Sequence, residues 1–217
     1  MLGTAALLGG CAQDDAPKSA GHAAPVSGPV QLWPDSPPWR PPSPAPEGGQ
    51  APMPLPALPR VPSGDIRKVP MLAIVQAQLD ADDRLGASPY DFDQDIKNKI
   101  RNCAAKPAAC PARAPEYHDL TGDGKDELIV GIAGRDLLRI WVFTVKDGLV
   151  NRIMNAGGLP RSMEVVDGKL IEYDSTAKPG YEVRTVYAWD PSQQVLVEKS
   201  TEYGRRSPSS ASPGRKS

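Results

Sequence analysis

The sequence predicts an α+β fold: short N-terminal helices followed by an antiparallel β-meander, forming a single compact domain after a disordered stalk. Two observations support this class. Apolar residues recur at spacings of three and four between Pro70 and Asn102, which is typical of amphipathic helices. After Leu128, short apolar and β-branched runs are separated by Asp-Gly turn signals, which is typical of antiparallel strands.

Composition limits what the chain can be. It has 217 residues and 25 prolines, most of which precede Pro70. The formal net charge of −1 argues against a nucleic-acid binder, which would present a basic surface. No apolar run reaches the roughly 20 residues that span a bilayer.

We divide the chain into a signal segment (1–11), a proline-rich disordered stalk (12–64), a folded domain (65–203) and a disordered basic tail (204–217).

The N-terminus has the apolar stretch and small residues of a secretory signal. Its end, Leu8-Gly9-Gly10-Cys11, resembles the lipobox of bacterial lipoproteins. The resemblance implies that Cys11 is diacylated and that the protein is anchored to the extracytoplasmic face of the cell membrane. No Lys or Arg precedes the apolar stretch, so a short apolar N-terminus with an incidental cysteine remains the alternative.

The stalk is expected to be extended, because closely spaced prolines remove backbone donors and fix φ. About fifty residues of this composition would reach roughly 100 to 150 Å. The alternative is a docking peptide, with Trp33 and Trp39 as anchors for an aromatic groove.

The first predicted helix begins at Pro70, which suits a first helical turn because its missing N–H has no partner there. One face of this helix carries Met71, Leu72, Val75 and Leu79, with Ile74 beside them. A second helix over 93–102 places Ile96 and Ile100 four residues apart, with Asp91 as the expected cap.

Cys103 and Cys110 bracket a short loop after the second helix. In an exported protein we predict a disulfide here, which stabilises by roughly 2 to 3 kcal/mol in the chain-entropy model. A metal-binding pair and free buried thiols are the alternatives. The strands of the meander follow, and we predict them over 128–132, 138–145, 149–154, 163–166, 170–173, 183–189 and 195–198.

One motif points to metal chemistry. Oxygen-bearing residues alternate at Asp119, Thr121 and Asp123, and the carbonyl of Lys125 and carboxylate of Glu127 extend the series. Hard oxygen ligands of this kind suit Ca²⁺. The loop resembles the calcium loop of FG-GAP and related integrin-type repeats, although the chain carries one copy. An Asp-Gly-rich turn without an ion is the alternative.

The order of lipobox, stalk, first helix, cysteine loop and Asp-rich loop resembles the CseA family, the lipoproteins of the Streptomyces sigma-E envelope-stress operon. The resemblance implies a negative modulator of the adjacent sensor-kinase system, acting by protein binding on the extracytoplasmic part of the kinase. A calcium-stabilised adhesion or cell-wall-binding module is a second hypothesis, and a wall-active enzyme a third.

We expect no catalytic activity and assign no catalytic residue. The two histidines are His22, in the stalk, and His118, beside the Asp-rich loop. The chain has no nucleophile elbow and no phosphate-binding glycine loop. Paired carboxylates for sugar hydrolysis stay open, because their separations do not follow from sequence.

Overall fold

A computed structural model describes residues 28–34, 51–86, 92–135, 137–158 and 160–206. Of these residues, 45% lie in strands and 19% in helices. The strands form two five-stranded antiparallel sheets, and the same part of the chain contains two α-helices. The predicted α+β class, with short helices followed by one meander, is therefore wrong: the protein is mostly β.

The strands are numbered along the chain. They are β1 (Val30–Leu32), β2 (Met53–Pro54), β3 (Glu116–His118), β4 (Glu127–Ala133), β5 (Leu138–Lys146), β6 (Leu149–Gly158), β7 (Pro160–Val166), β8 (Lys169–Ser175), β9 (Tyr181–Asp190) and β10 (Val195–Arg205). Sheet A has the order β1-β7-β8-β9-β10, and sheet B has the order β2-β6-β5-β4-β3. Each of the seven predicted strands lies inside one of β4 to β10, so the error concerns how strands assemble.

Two tight hairpins use the predicted Asp-Gly pairs. Asp147 and Gly148, between β5 and β6, have φ values of 51° and 71°. Asp167 and Gly168, between β7 and β8, have φ values of 48° and 69°. A two-residue type I′ turn, whose twist matches that of the flanking strands, requires positive φ at both central residues. The two Asp-Gly pairs therefore determine the geometry of these hairpin turns.

Sheet B lies between two layers. Along β5, Trp141 and Phe143 belong to the core cluster on the helical side, whereas Ile140 and Val142 belong to the cluster shared with sheet A. This alternation follows from the two-residue period of a strand. A sheet covered on both faces must be apolar on both, which explains the nearly continuous apolar run of β4 and β5.

The helical layer contains α1 (Met71–Leu85) and α2 (Gln94–Arg101), with short 3₁₀ turns at Ile66–Lys68 and Pro107–Ala109. The cap of α2 is Asp93, whose Oδ1 accepts a hydrogen bond from the Ile96 N–H at 2.9 Å. Asp91, the expected cap, lies outside the described residues. Among the described residues, no helix is long and apolar enough to cross a membrane.

Two pieces of the expected stalk are part of the fold. β1 pairs with β7, and the indole of Trp33 donates to the Ala114 carbonyl at 2.9 Å. Leu55 and Val61 are buried in the helical-side core. Edge strands tolerate proline because one side of the strand makes no ladder bonds, and β2 lies at the edge of sheet B.

The predicted C-terminal boundary of the domain is close to the end of the last strand. β10 continues to Arg205, two residues beyond the predicted end of the domain at residue 203. The signal segment with Cys11, residues 12–27, residues 35–50 with Trp39, and the tail from residue 207 lie outside the described residues.

The docking of the proline-rich segment makes a stability prediction. Leu55 is 1% exposed, so Leu55→Ala should lower the free energy of unfolding by roughly 2 to 5 kcal/mol in chemical denaturation. Leu85→Ala is the matched control, because Leu85 is 73% exposed and its loss should cost less than about 0.5 kcal/mol. Equal effects of the two substitutions would contradict the packing of this segment on the domain.

Candidate functional site

The Asp-rich loop between β3 and β4 is a turn held by its own carboxylates. Asp119 Oδ1 accepts from the Gly122 N–H at 2.7 Å, and Asp119 Oδ2 accepts from the Gly124 N–H at 2.9 Å. Asp123 Oδ1 accepts from the Lys125 N–H at 2.9 Å. Short polar side chains that bond nearby backbone donors are typical of such turns. These aspartates therefore have a structural role in the loop whether or not an ion is bound.

Glu127, the last predicted ligand, anchors the loop from inside the protein. Its side chain is buried, and Oε2 accepts from the N–H groups of Leu120 at 2.8 Å and Thr121 at 3.1 Å. Oε1 accepts from the hydroxyl of Thr144 at 2.8 Å. Burial raises the pKa of Glu127 to about 7, although these hydrogen bonds oppose the shift.

The fit of the loop to Ca²⁺ is partial. Across the described ranges, no group of three or more His, Cys, Asp or Glu side chains is arranged to hold a metal ion. The loop does bring Asp119 and Asp123 into one turn, and the Oγ1 atom of Thr121 is buried there without a hydrogen-bond partner. Each carboxylate oxygen has a second lone pair beyond its backbone contact.

Cys103 and Cys110 are joined by a disulfide, with their Cα atoms 4.7 Å apart. The bond links the residues after α2 to the start of the chain that runs toward β3. Cys103 is buried, so the bridge joins this loop to the buried residue that follows α2. The pair is thus neither a metal pair nor two free thiols.

A second feature, which we call the Arg–Trp cleft, lies between the helices and the face of sheet B that they cover. Its volume is about 190 Å³. It combines charged, aromatic and apolar side chains, and its lining consists of Met53, Leu79, Asp82, Leu85, Gly86, Phe92, Lys97, Arg139, Trp141, Arg152 and Asn155.

Strand register brings the charged members together. Trp141 on β5 is directly opposite Asn155 on β6, and its indole N–H donates to Asn155 Oδ1 at 3.1 Å. Arg139 is opposite Gly157, where an added Cβ would lie only 3.3 Å from the guanidinium. The glycine therefore leaves the space that a buried arginine occupies. Arg152 follows on the same face, opposite Met53 of β2.

Arg152 is held by a partner on α1. Its side chain is 9% exposed, and Nη1 lies 3.3 Å from both carboxylate oxygens of Asp82. Gln78 fixes that carboxylate by donating to Asp82 Oδ1 at 2.8 Å. Burial lowers the pKa of Arg152, and Asp82 opposes the shift. An arginine keeps its charge in proteins, so the cleft holds a cation that costs free energy to bury.

Sequence reasoning missed this cleft entirely. None of its polar members stands in a recognisable motif, and Asp82, Arg139 and Arg152 lie on three different elements. One signal was present: Arg139 interrupts an otherwise apolar run in β5. A charged residue inside a strand that is covered on both faces requires a polar partner. Arg139 is therefore an unusual residue in this strand.

A buried carboxylate also lies between the two sheets. Glu172 on β8 is 3% exposed and accepts from the Tyr187 hydroxyl at 3.2 Å. An added Cβ on Gly158 would lie 2.6 Å from Glu172 Oε1, so the last residue of β6 must be small. Burial, followed by the nearby charge of Asp174, raises the pKa of Glu172 to about 8.

This raised pKa gives stability a pH dependence. The folded state keeps the Glu172 proton up to about pH 8, whereas the unfolded state loses it near 4.5. The contribution is complete below the unfolded pKa and is lost as pH rises through the folded one. We expect it to fall by up to roughly 5 kcal/mol across this window.

The test compares unfolding free energies of wild type and Glu172→Gln from pH 4.5 to 8.5. The difference between the two curves should widen in favour of the variant as pH rises, because glutamine has no proton to lose. Parallel curves would show that Glu172 is ionised in the folded protein.

Comparison with protein-family models, with curated proteins and with solved structures finds no match. Evidence for the function of this chain therefore comes from its own residues and their geometry.

Proposed function

We propose that this protein is an exported lipoprotein, anchored through Cys11, whose folded domain binds a protein partner at the outer face of the cell membrane. The Cys103–Cys110 disulfide carries the proposal, since disulfides persist in oxidising compartments outside the cytosol. The segment Leu8-Gly9-Gly10-Cys11 supplies the anchor. Two acyl chains on one cysteine give stable attachment, whereas one chain binds only marginally.

The regulatory part of the proposal follows the CseA resemblance. We infer that the domain acts as a negative modulator of an envelope-stress sensor-kinase and sigma-factor system, by contact with the extracytoplasmic part of the kinase. The proposal assigns no catalytic step to the domain and no role in binding nucleic acid. It accounts for the layout of anchor, proline-rich segment and folded domain with a binding function alone.

The tether is shorter than the expected stalk. β1 begins at Val30, so the chain between Cys11 and sheet A is fewer than twenty residues long. Such a segment spans at most roughly 60 Å, against the 100 to 150 Å expected from the sequence. A short tether keeps the domain close to the membrane. This proximity raises its effective concentration near a membrane-bound partner, so a weak contact suffices.

The experiment is deletion of the gene, with transcription of the neighbouring operon measured with and without envelope stress. Deletion should raise basal transcription, and the wild-type gene should restore it. Cys11→Ser should fail to restore it although the domain still folds, because the thiol that carries the lipid is gone. Full repression by Cys11→Ser would contradict tethering, and unchanged transcription in the deletion strain would contradict the regulatory role.

The alternative is a calcium-stabilised adhesion or cell-wall-binding module. The alternating oxygens of Asp119, Thr121 and Asp123 favour it, together with the unpartnered Thr121 hydroxyl inside the loop. In this proposal the Lys125 carbonyl completes the set. Glu127 supports the loop through its backbone contacts and is a ligand only if its carboxylate turns outward.

Calcium binding has a direct thermal test. At a concentration about a hundred times Kd, the ion should stabilise the domain by roughly 2.7 kcal/mol and raise Tm relative to chelator. Asp123→Asn should abolish this shift, since the amide keeps the bond from the Lys125 N–H but loses the charge. Asp147→Asn, at a hairpin turn elsewhere, is the matched control and should keep the shift. Equal Tm values in calcium and chelator would rule out the ion.

A further inference from the structure

We infer that an open groove at the start of α1 binds an acidic segment of the protein partner. This inference rests on the proposed binding function and names the chemistry of the contact. Residues 59–63 form one wall of the groove, and Lys68, Val69, Pro70 and Ala73 form the other. We call it the proline groove, and its volume is about 420 Å³. Both walls lie within residues 51–86, which the structure describes without a gap.

The charged side chains of the proline groove are both cationic. They are Arg60 and Lys68, which are exposed and come from opposite walls, and no acidic side chain lines the groove. Arg60 donates to the backbone carbonyl of Asp147 at 3.1 Å and not to its carboxylate. Among the described residues, neither cation is part of an ion pair. An anionic ligand would therefore meet two positive charges that no carboxylate of the domain already holds.

The first turn of α1 adds partial charge of the same sign. Pro70, at the N-cap position of this 15-residue helix, makes no side-chain hydrogen bond to the first turn, and that turn carries no acidic residue. The N–H groups at the start of a helix carry a partial positive charge that favours a nearby anion. Pro70 and Ala73 line the groove, so this charge adds to that of the two cations.

The groove also has open apolar surface. Pro59, Pro62 and Pro70 are exposed, and Val61 and Val69 lie beneath them at 4% exposure. A proline ring has no side-chain rotamer entropy to lose when a ligand covers it. A ligand with an apolar side chain beside its carboxylates would therefore gain hydrophobic stabilisation at low entropic cost.

The walls are fixed before any ligand binds. The Val61 N–H donates to the Gly148 carbonyl at 2.9 Å, and the Gly64 N–H donates to the Val61 carbonyl at 2.9 Å. In the other wall, the Val69 N–H donates to the Ile66 carbonyl at 3.1 Å. A preorganised site avoids part of the entropy cost of binding, so a short contact can be specific.

The shape of the groove favours a chain segment as its occupant. A bilayer is flat on this scale and would contact only the rim, whereas a segment that lies in the groove contacts both walls and both cations. Typical small-molecule sites bury most of their ligand, but the prolines and cations here are exposed to solvent. Recognition of acidic motifs by clustered cations is an established mode of peptide binding.

The first test selects ligands without assuming their sequence. A library of random octapeptides is selected on the immobilised full-length chain. Enriched peptides should combine Asp or Glu with apolar residues, and their Asn or Gln versions should bind at least tenfold more weakly because the charge is lost. Raising NaCl from about 0.05 to 0.5 M should also weaken binding, since salt screens exposed charges. No enrichment, or enrichment of peptides without acidic residues, would overturn the inference.

The second test locates the binding. Arg60→Gln combined with Lys68→Gln should weaken the enriched peptides about tenfold or more, because two charged contacts are lost. Lys106→Gln combined with Lys169→Gln is the matched control, which removes two exposed cations elsewhere on the domain and should leave affinity unchanged. Both double variants should keep the Tm of wild type, since all four side chains are exposed. Equal affinity of the groove variant and wild type would overturn the inference.

An anionic membrane surface is the competing occupant, and vesicles test it. The full-length chain carrying Cys11→Ser, which has no lipid anchor, is sedimented with vesicles of phosphatidylcholine and phosphatidylglycerol in equal amounts. The chain should stay in the supernatant. Sedimentation that is abolished by adding Arg60→Gln and Lys68→Gln would assign the groove to lipid headgroups and overturn the inference.

The operon assay separates this inference from the proposed function. The groove variant should lose repression, whereas the control variant should keep it. Full repression by the groove variant would show that the partner binds elsewhere, and the proposed function would stand without this inference. Unchanged transcription in the deletion strain would reject the regulatory role, whereas the peptide selection would still decide the chemistry of the groove.

Discussion

The architecture depends on the burial of sheet B on both faces. β4 and β5 lie between the helical layer and sheet A, so nearly every side chain along them leaves water. Most of the apolar core belongs to one of the two clusters that this sheet separates. Hydrophobic burial is the dominant favourable term in folding, and a sheet covered twice contributes it on both sides. The helices and sheet A are both layers on this central sheet.

Double burial makes charged residues on sheet B costly, so each one requires a partner. Glu127 meets this requirement with two backbone N–H groups and the hydroxyl of Thr144, and in doing so it fixes the Asp-rich loop. Arg152 meets it with Asp82 from the helical layer. The two candidate functional regions thus share one cause. In both regions a buried charge is surrounded by polar partners, because a buried charge without a partner is costly.

Parts of the proline-rich N-terminal region belong to the folded domain. Its residues 28–34 and 51–64 extend the two sheets and cover the core, through β1, β2, Leu55 and Val61. Proline suits these positions, because it disfavours helix yet tolerates an edge strand, and β1 and β2 both lie at sheet edges. A high density of prolines in this part of the sequence is therefore compatible with membership of the folded domain.

The sequence by itself determined the local features: the positions of the strands from β4 to β10, the Asp-Gly hairpins, both helices and the pairing of the two cysteines within one short loop. These follow from side-chain period and turn chemistry, which act over a few residues. Only the tertiary structure decided that the strands divide into two sheets, that Leu55 and Trp33 join the domain, and that Asp82, Arg139 and Arg152 meet around Trp141. Such contacts join residues far apart in the chain, and their free energy exists only once the layers have packed.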